Sequence, residues 1–344
     1  MKKILLLVIA ILFSAWFMVS SAIAGQVMGV LGPISGDKLG QTLVHEHMTF
    51  AYVNHFADES VAPYDREAVE AKCLKMLEDI KSVGVKTVVD PSMCDVGGRD
   101  PILLMNLAQK SGLNIIAATG LYWEGEGGSR YYKWNQMVGR NIEDDIYELF
   151  KREITVGIGK TGVKAGVIKL ASGDPKISDY EKIVFKAGVR AAKETGVPIL
   201  THTQLGTVGP AQQELFLSLG ANPKRILIGH QNNSIDINYH LSQLAKPDFF
   251  IGFDRTSLRD VKAENCIIEL VKKGYANRIL VSHDAIGVWL GRPFTWPAAM
   301  KALENWYPTY IHKKLIPKMK EAGVTDEQIN TMLVDNPRRL LTGE

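Results

Sequence analysis

The chain has 344 residues, 46% hydrophobic and 22% charged, with 40 basic against 37 acidic side chains and three cysteines. Without Lys2 and Lys3 the balance is 38 basic against 37 acidic, a formal charge of +1 in place of +3, and the two signs are interspersed with no Lys/Arg run among aromatics. That excludes nucleic acid or another polyanion as partner. Three widely spaced cysteines (Cys73, Cys94, Cys266) in a chain long enough to bury a core argue against a disulfide framework, so each is expected as a small buried hydrophobe.

Lys2 and Lys3 precede an apolar run from Ile4 to Val19, and Ala22-Ile23-Ala24 before Gly25 is a small-x-small cleavage pattern. Residues 1–24 are therefore expected to be a signal peptide. The product would be exported, periplasmic or secreted, with no stable membrane association after cleavage. Residues 25–344 contain no linker or low-complexity tract and are expected to form one domain.

Eight apolar runs follow, alternating with helical patterns: TLVHEH, VKTVVD, NIIAATG, AGVIKLA, VPILTH, RILIGH, FFIGFD and RILVSH. The first is followed by an amphipathic helix over 66–83 that stops at Gly84. Asp100-Pro101 starts another, since aspartate caps and proline suits the first turn. Further helices are predicted over 141–154, 178–195, 210–219 and 260–273, with a polar segment near 236–246. Near-continuous Val/Ile/Leu strands separated by helices predict an α/β fold, a (β/α)8 TIM barrel whose strands are covered on both faces. An open doubly wound sheet would alternate likewise, but no G-x-G-x-x-G follows any of the strands.

Metal-binding side chains sit at the ends of these runs. His45 and His47, two apart in a strand, point the same way and can offer two imidazoles to one ion. His202, His230 and the pair His283 and Asp284 close later strands, on the face where barrel chemistry is done. Single strand-end histidines are more often structural; His55, His240, His283 and His312 are assigned to that class, although by position alone His283 is as good a ligand as Asp284. Lys169, within Gly166-Val167-Ile168-Lys169-Leu170-Ala171, is expected to be desolvated with a lowered pKa. A neutral amine so placed can take up carbon dioxide, and the carbamate's two oxygens could bind two ions. The alternative is a lysine whose head snorkels out to water.

HEH at 45–47, Lys169, THTQ with His202, IGHQ with His230 and SHDA with Asp284 resemble the phosphotriesterase-like branch of the amidohydrolase superfamily, in order and approximate spacing, over almost the whole chain after residue 24. The resemblance implies two divalent metal ions: His45, His47 and Asp284 on the more buried one, His202 and His230 on the more exposed one, and carboxylated Lys169 bridging both. The selection of Asp284 over His283 comes from this pattern alone. Zinc is the first choice, with cobalt, manganese or iron acceptable to the same donors. Such a site would hold a shared hydroxide near neutrality, one ion would polarise the scissile C=O or P=O, and Asp284 would take up the proton.

Tyr122 in ATGLYW and Arg255 in GFDR look like the family's lactonases more than its dedicated phosphotriesterases. The tyrosine would orient a lactone ring oxygen and the arginine would fix the loop carrying it. The expected function is hydrolysis of a lactone, such as an N-acyl homoserine lactone, with phosphotriester hydrolysis as a side activity; the alternative is a dedicated phosphotriesterase or aryl esterase. Glu124-Gly125-Glu126-Gly127-Gly128 and Gly291-Arg292-Pro293 depart from the familiar lactonase loops. From other classes, a non-catalytic metal-binding barrel and a mononuclear deaminase remain. Trp123 and Trp134 after strand three, Trp289, Trp296 and Trp306 after strand eight, and Tyr131, Tyr132, Phe294, Tyr307 and Tyr310 nearby suggest an apolar wall for a small hydrophobic ester or lactone. The resemblance further implies a homodimer.

Overall fold

The computed structural model describes residues 25–52, 64–258, 262–291, 303 and 305–344. The expected signal peptide, His55, Arg292, Pro293, Phe294 and Trp296 lie outside the described residues.

Eight parallel strands form the interior ladder, each beside the next in sequence: β3 (Gln41–Leu43), β5 (Val85–Asp90), β6 (Asn114–Leu121), β7 (Val167–Ser172), β8 (Ile199–Thr203), β9 (Ile226–Ile228), β10 (Phe250–Phe253) and β11 (Ile279–Val281). Here β1 (Gln26–Gly29) and β2 (Gly32–Ser35) are an antiparallel hairpin whose chain continues to Val30, which donates to the Ile115 carbonyl at 2.9 Å. The expected first and eighth strands are each interrupted. After Leu43 the first resumes as β4 (Glu46–Phe50), and after Val281 the eighth resumes as β12 (Ala285–Trp289). These extensions pair with each other, Glu46 opposite Ala285 and His47 opposite Ile286, and bring the two edges of the sheet together on the C-terminal side. The barrel is thus nearly closed, with its seam where the first and last ligands sit.

The helices begin and end on the expected signals. Pro101–Ser111 is capped by Asp100, which accepts from the amides of Ile102 and Leu103, and ends at Gly112 with φ 71°. Asp179–Thr195 starts in a reciprocal capping box between Ser178 and Glu181 and ends at Gly196 with φ 72°. Helix faces pack on the outer strand faces, and Phe150, Phe185 and Phe216 are fully buried there. Inside the barrel, Val89, Ile116, Val167, Leu200, Leu227, Phe250 and Leu280, one from each of β5 to β11, and Val44, just past the end of β3, form an apolar layer, closed from below by Val27, Leu39, Leu340 and Leu341. The three cysteines are free, with Cys73 and Cys266 buried and Cys94 half-buried. Among the described residues no helix is long and apolar enough to cross a membrane.

Candidate metal centre

Two residues beyond the apolar layer, on the same inward face, Val167 is followed by Lys169 and Leu200 by His202. The alternation of a strand therefore replaces an aliphatic ring by polar groups in one step. Lys169 is the third of six residues in β7, not at its end, and it is the length of its side chain that carries the amine to the level of the histidines. It is 1% exposed, so the snorkelling alternative is absent. Its Nζ donates to the Thr201 carbonyl at 3.1 Å and lies 3.5 Å from both ring nitrogens of His45. Burial pulls the amine down to about 8, against the carboxylates of Asp254 and Asp284, which hold it up.

The four predicted imidazoles form a continuous row: ring centroids are 4.5 Å apart for His202 and His230, 4.9 Å for His230 and His45, and 5.4 Å for His45 and His47. All four are buried. Asp284 Oδ1 lies 3.1 Å from Nε2 of His45 and 3.3 Å from Nε2 of His47, and the three residues each offer a ligand atom within 4.8 Å of the others. Its other oxygen accepts from Arg255 Nε at 2.7 Å. Burial opposes ionisation of Asp284, but His45 and Arg255 hold its carboxyl well below the usual carboxylate range.

One residue that sequence reasoning missed organises the row. Asp254, 0% exposed, has Oδ2 at 2.9 Å from His45 Nδ1 and Oδ1 at 3.0 Å from His230 Nδ1, and also accepts the His230 amide. It stands at the end of the seventh strand in GFDR, so the same strand-end signal that drew attention to Arg255 could have found it. With both Nδ1 atoms engaged, the Nε2 atoms of His45 and His230 are left for an ion. Ser92 Oγ holds Nδ1 of His47 at 2.8 Å in the same way, while Gln204 holds Nε2 of His202 at 2.6 Å and leaves its Nδ1. Fixing one nitrogen of each ring is how proteins set the tautomer of a metal-ligating histidine. Four pre-oriented imidazoles, an ionised carboxylate and a desolvated amine fit divalent cations.

Backbone strain marks the same positions. His230 (φ 61°) and Asp284 (φ 55°) are left-handed without being glycine, at a cost of about 1–3 kcal/mol each that the surrounding bonds must offset. Gly229, beside His230, has no room for a side chain: a Cβ there would meet the Thr201 carbonyl oxygen at 2.2 Å and Asp254 Oδ2 at 2.8 Å.

The other sequence candidates divide. Tyr122 is buried with its ring edge-on to His202, centroids 4.9 Å apart. Arg255 has Asp284 as its side-chain partner, so it restrains that carboxylate more directly than the loop carrying Tyr122, the role given to it by resemblance. His283 is structural: its Nδ1 is 2.7 Å from Glu46 Oε1, and its Nε2 accepts the Ile311 amide. His240 and His312 are bound to the Ser234 carbonyl and to Gln41 Oε1.

The expected aromatic wall is differently built. Tyr131 and Trp134 are 68% and 62% exposed on the helix Ser129–Met137, Tyr310 is bonded to Glu264, and the Trp306 indole donates to the His283 carbonyl. Beside the histidines the apolar cluster consists of Phe50, Met93, Val96, Tyr122 and Ala171, with Tyr52, Trp123, Ile286 and Trp289 against it. Phe50 packs on His47, centroids 5.4 Å apart, and Trp289 on Phe50 at 5.3 Å. Phe50 ends β4 and Tyr52 follows it, in a stretch without tryptophan that drew no attention.

Residues 25–341 match the model of the phosphotriesterase family. An organophosphorus hydrolase from Deinococcus radiodurans superposes with a TM-score of 0.89 at 41% identity, over 92% of this chain and 97% of that one. A mutant of a Deinococcus radiodurans PTE-like lactonase gives a TM-score of 0.88 at 40% identity, over 92% and 99%. The aryldialkylphosphatase of Saccharolobus solfataricus is 31% identical over 319 residues, 90% of this chain and 97% of the relative. With barrel, strand-end histidines and these matches in agreement, the chain belongs to the phosphotriesterase family.

Proposed function

We propose that the protein hydrolyses an uncharged hydrophobic ester, a lactone before any other, with phosphotriester hydrolysis as a slower side activity. The observation that carries this reading is the buried Lys169 amine set against a row of four pre-oriented imidazoles and Asp284. His45, His47 and Asp284 would hold one divalent ion and His202 and His230 a second, with Lys169, carboxylated on Nζ, between them. Such ions, zinc for preference, supply Lewis acidity that makes water a nucleophile and polarises the scissile carbonyl.

The chain's own groups do the rest. Asp284, held in its ionised form by His45 and Arg255, would take the proton released as water adds to the carbonyl, and Arg255 would keep that carboxylate oriented. Tyr122, whose ring packs edge-on to His202, would form one side of the substrate space and orient a ring oxygen. Phe50, Met93, Val96 and Trp289 exclude water and favour an apolar acyl chain, for which an N-acyl homoserine lactone is the leading candidate. The similarity to a PTE-like lactonase supports the lactone reading; the similarity to an aryldialkylphosphatase supports the runner-up, a dedicated phosphotriesterase.

Export and self-association complete the proposal. Lys2 and Lys3, the apolar run to Val19 and the Ala22-Ile23-Ala24 pattern support export of a chain that starts at Gly25. Exposed Tyr131, Trp134, Met137 and Val138 support a homodimer. The deciding experiment compares kcat/KM of metal-loaded protein on γ-lactones, δ-lactones, aryl esters and a phosphotriester. At least one lactone should lead; a phosphotriester ahead of every lactone would transfer the assignment to the runner-up.

A further inference from the structure

Glu46, the residue between the first two histidines, takes no part in the chemistry described above. In a straight strand it would point away from His45 and His47. It is nonetheless 0% exposed, and its carboxylate collects four donors from three residues, Ser282, His283 and Ala285, at the break in the eighth strand. Oε1 accepts from Ser282 Oγ at 2.9 Å, from the His283 amide at 2.9 Å and from His283 Nδ1 at 2.7 Å, and Oε2 accepts from the Ala285 amide at 2.9 Å. The residue enclosed by these contacts is Asp284, whose own amide donates to the His45 carbonyl at 2.9 Å. The backbone of Asp284, in the left-handed region at φ 55°, is thus gripped on both sides by one side chain.

We infer that Glu46 is the positioning residue for Asp284. This rests on the reading of Asp284 as ligand and proton acceptor. Strands β4 and β12 meet here, so the carboxylate cross-links the barrel seam and fixes where Asp284 emerges from it. His283 carries the grip outward. Its Nε2 accepts the Ile311 amide at 3.1 Å and its carbonyl accepts from the Trp306 indole at 2.9 Å, so the segment after strand eight is referenced to the same carboxylate. Glutamine at 46 would keep the shape but turn an NH2 group toward an amide that needs an acceptor. Asp284 would then relax toward an ordinary backbone conformation, and its carboxylate would leave the place where the Nε2 atoms of His45 and His47 meet.

The test is a double-mutant cycle with Glu46→Gln, Asp284→Asn and the double variant. It is read in kcat on whichever ester the wild type hydrolyses fastest, and in the rate of zinc release to a chelator. If Glu46 acts through Asp284, Glu46→Gln lowers kcat by about 100-fold with KM within about threefold. It also speeds zinc release, and costs almost nothing further in the Asp284→Asn background, because residues acting as a unit are non-additive. Losses that multiply in kcat and in zinc release, or a Glu46→Gln protein equal to wild type in both, overturn the inference. Should Glu46→Gln fail to fold, Ser282→Ala removes one donor to the clamp together with the acceptor of the His45 amide and must show the same non-additivity with Asp284→Asn at about tenfold; multiplying effects there overturn it too. A wild type with no turnover on any ester would sink the hydrolase reading and still leave the zinc-release cycle to decide the clamp.

Discussion

Two adjacent rings of side chains inside one barrel differ in almost everything but their distance apart. The lower ring, Val167, Leu200, Leu227, Phe250 and Leu280 among its members, is aliphatic or aromatic and unstrained. The ring above it holds Lys169, His202 and Ser282 two residues further along β7, β8 and the eighth strand, with Gly229 two beyond Leu227 where Asp254 needs the room. Because a one-residue slip would turn every side chain to the other face, the apolar ring fixes the register on which the polar ring depends. The upper ring collects what folding alone would avoid: buried charges, an amine brought down to about 8, and two left-handed non-glycine residues. Stability resides in one ring and chemistry in the next.

The separation can be attacked from above first. Asp284→Asn should lower kcat by about 10²–10⁴-fold while thermal unfolding and most of the bound metal are retained; unchanged turnover would remove Asp284 from the chemistry. From below, Leu227→Ala should cost about 2–5 kcal/mol in denaturant unfolding yet leave kcat of the folded protein within about threefold. An equal loss in both would show that the rings are not separable. Gly229→Ala strikes the joint between them. The added methyl must displace the Thr201 carbonyl or Asp254, so about 1–3 kcal/mol of stability and about tenfold in metal affinity should be lost together, and loss of only one would break the proposed linkage. The smallest effect is expected for Tyr122→Phe, a fall of about tenfold or less in kcat/KM on lactones with phosphotriester turnover unchanged. An equal fall on both would assign the tyrosine to packing on His202.

The eight strands were legible because a strand covered on both faces must be apolar throughout, and closing them into a barrel brings residues as distant as His45 and Asp284 together. The predicted histidines, Lys169 and Asp284 stand together for the same reason. What escaped reading depended on local departures from regular strands. The interruptions at Val44–His45 and Ser282–Asp284 are not written in composition, and Glu46 lies on what periodicity marks as the wrong face. Asp254 was hidden by its neighbour: in GFDR the arginine drew the attention, although the aspartate orders two of the imidazoles. The aromatic wall was misread because tryptophans cluster in loops both to line sites and to pack helices. Trp289 does the first, the half-exposed Trp306 holds the His283 carbonyl, and Trp134 lies in the open.

The most direct measurement is a crystal structure of zinc-loaded protein grown in bicarbonate, with zinc per chain determined on the same preparation by elemental analysis. Two ions per chain, with density for a carboxyl group on Lys169 Nζ touching both, is the expected result. A single ion beside a bare amine would contradict the central claim that Lys169 is buried in order to join two cations.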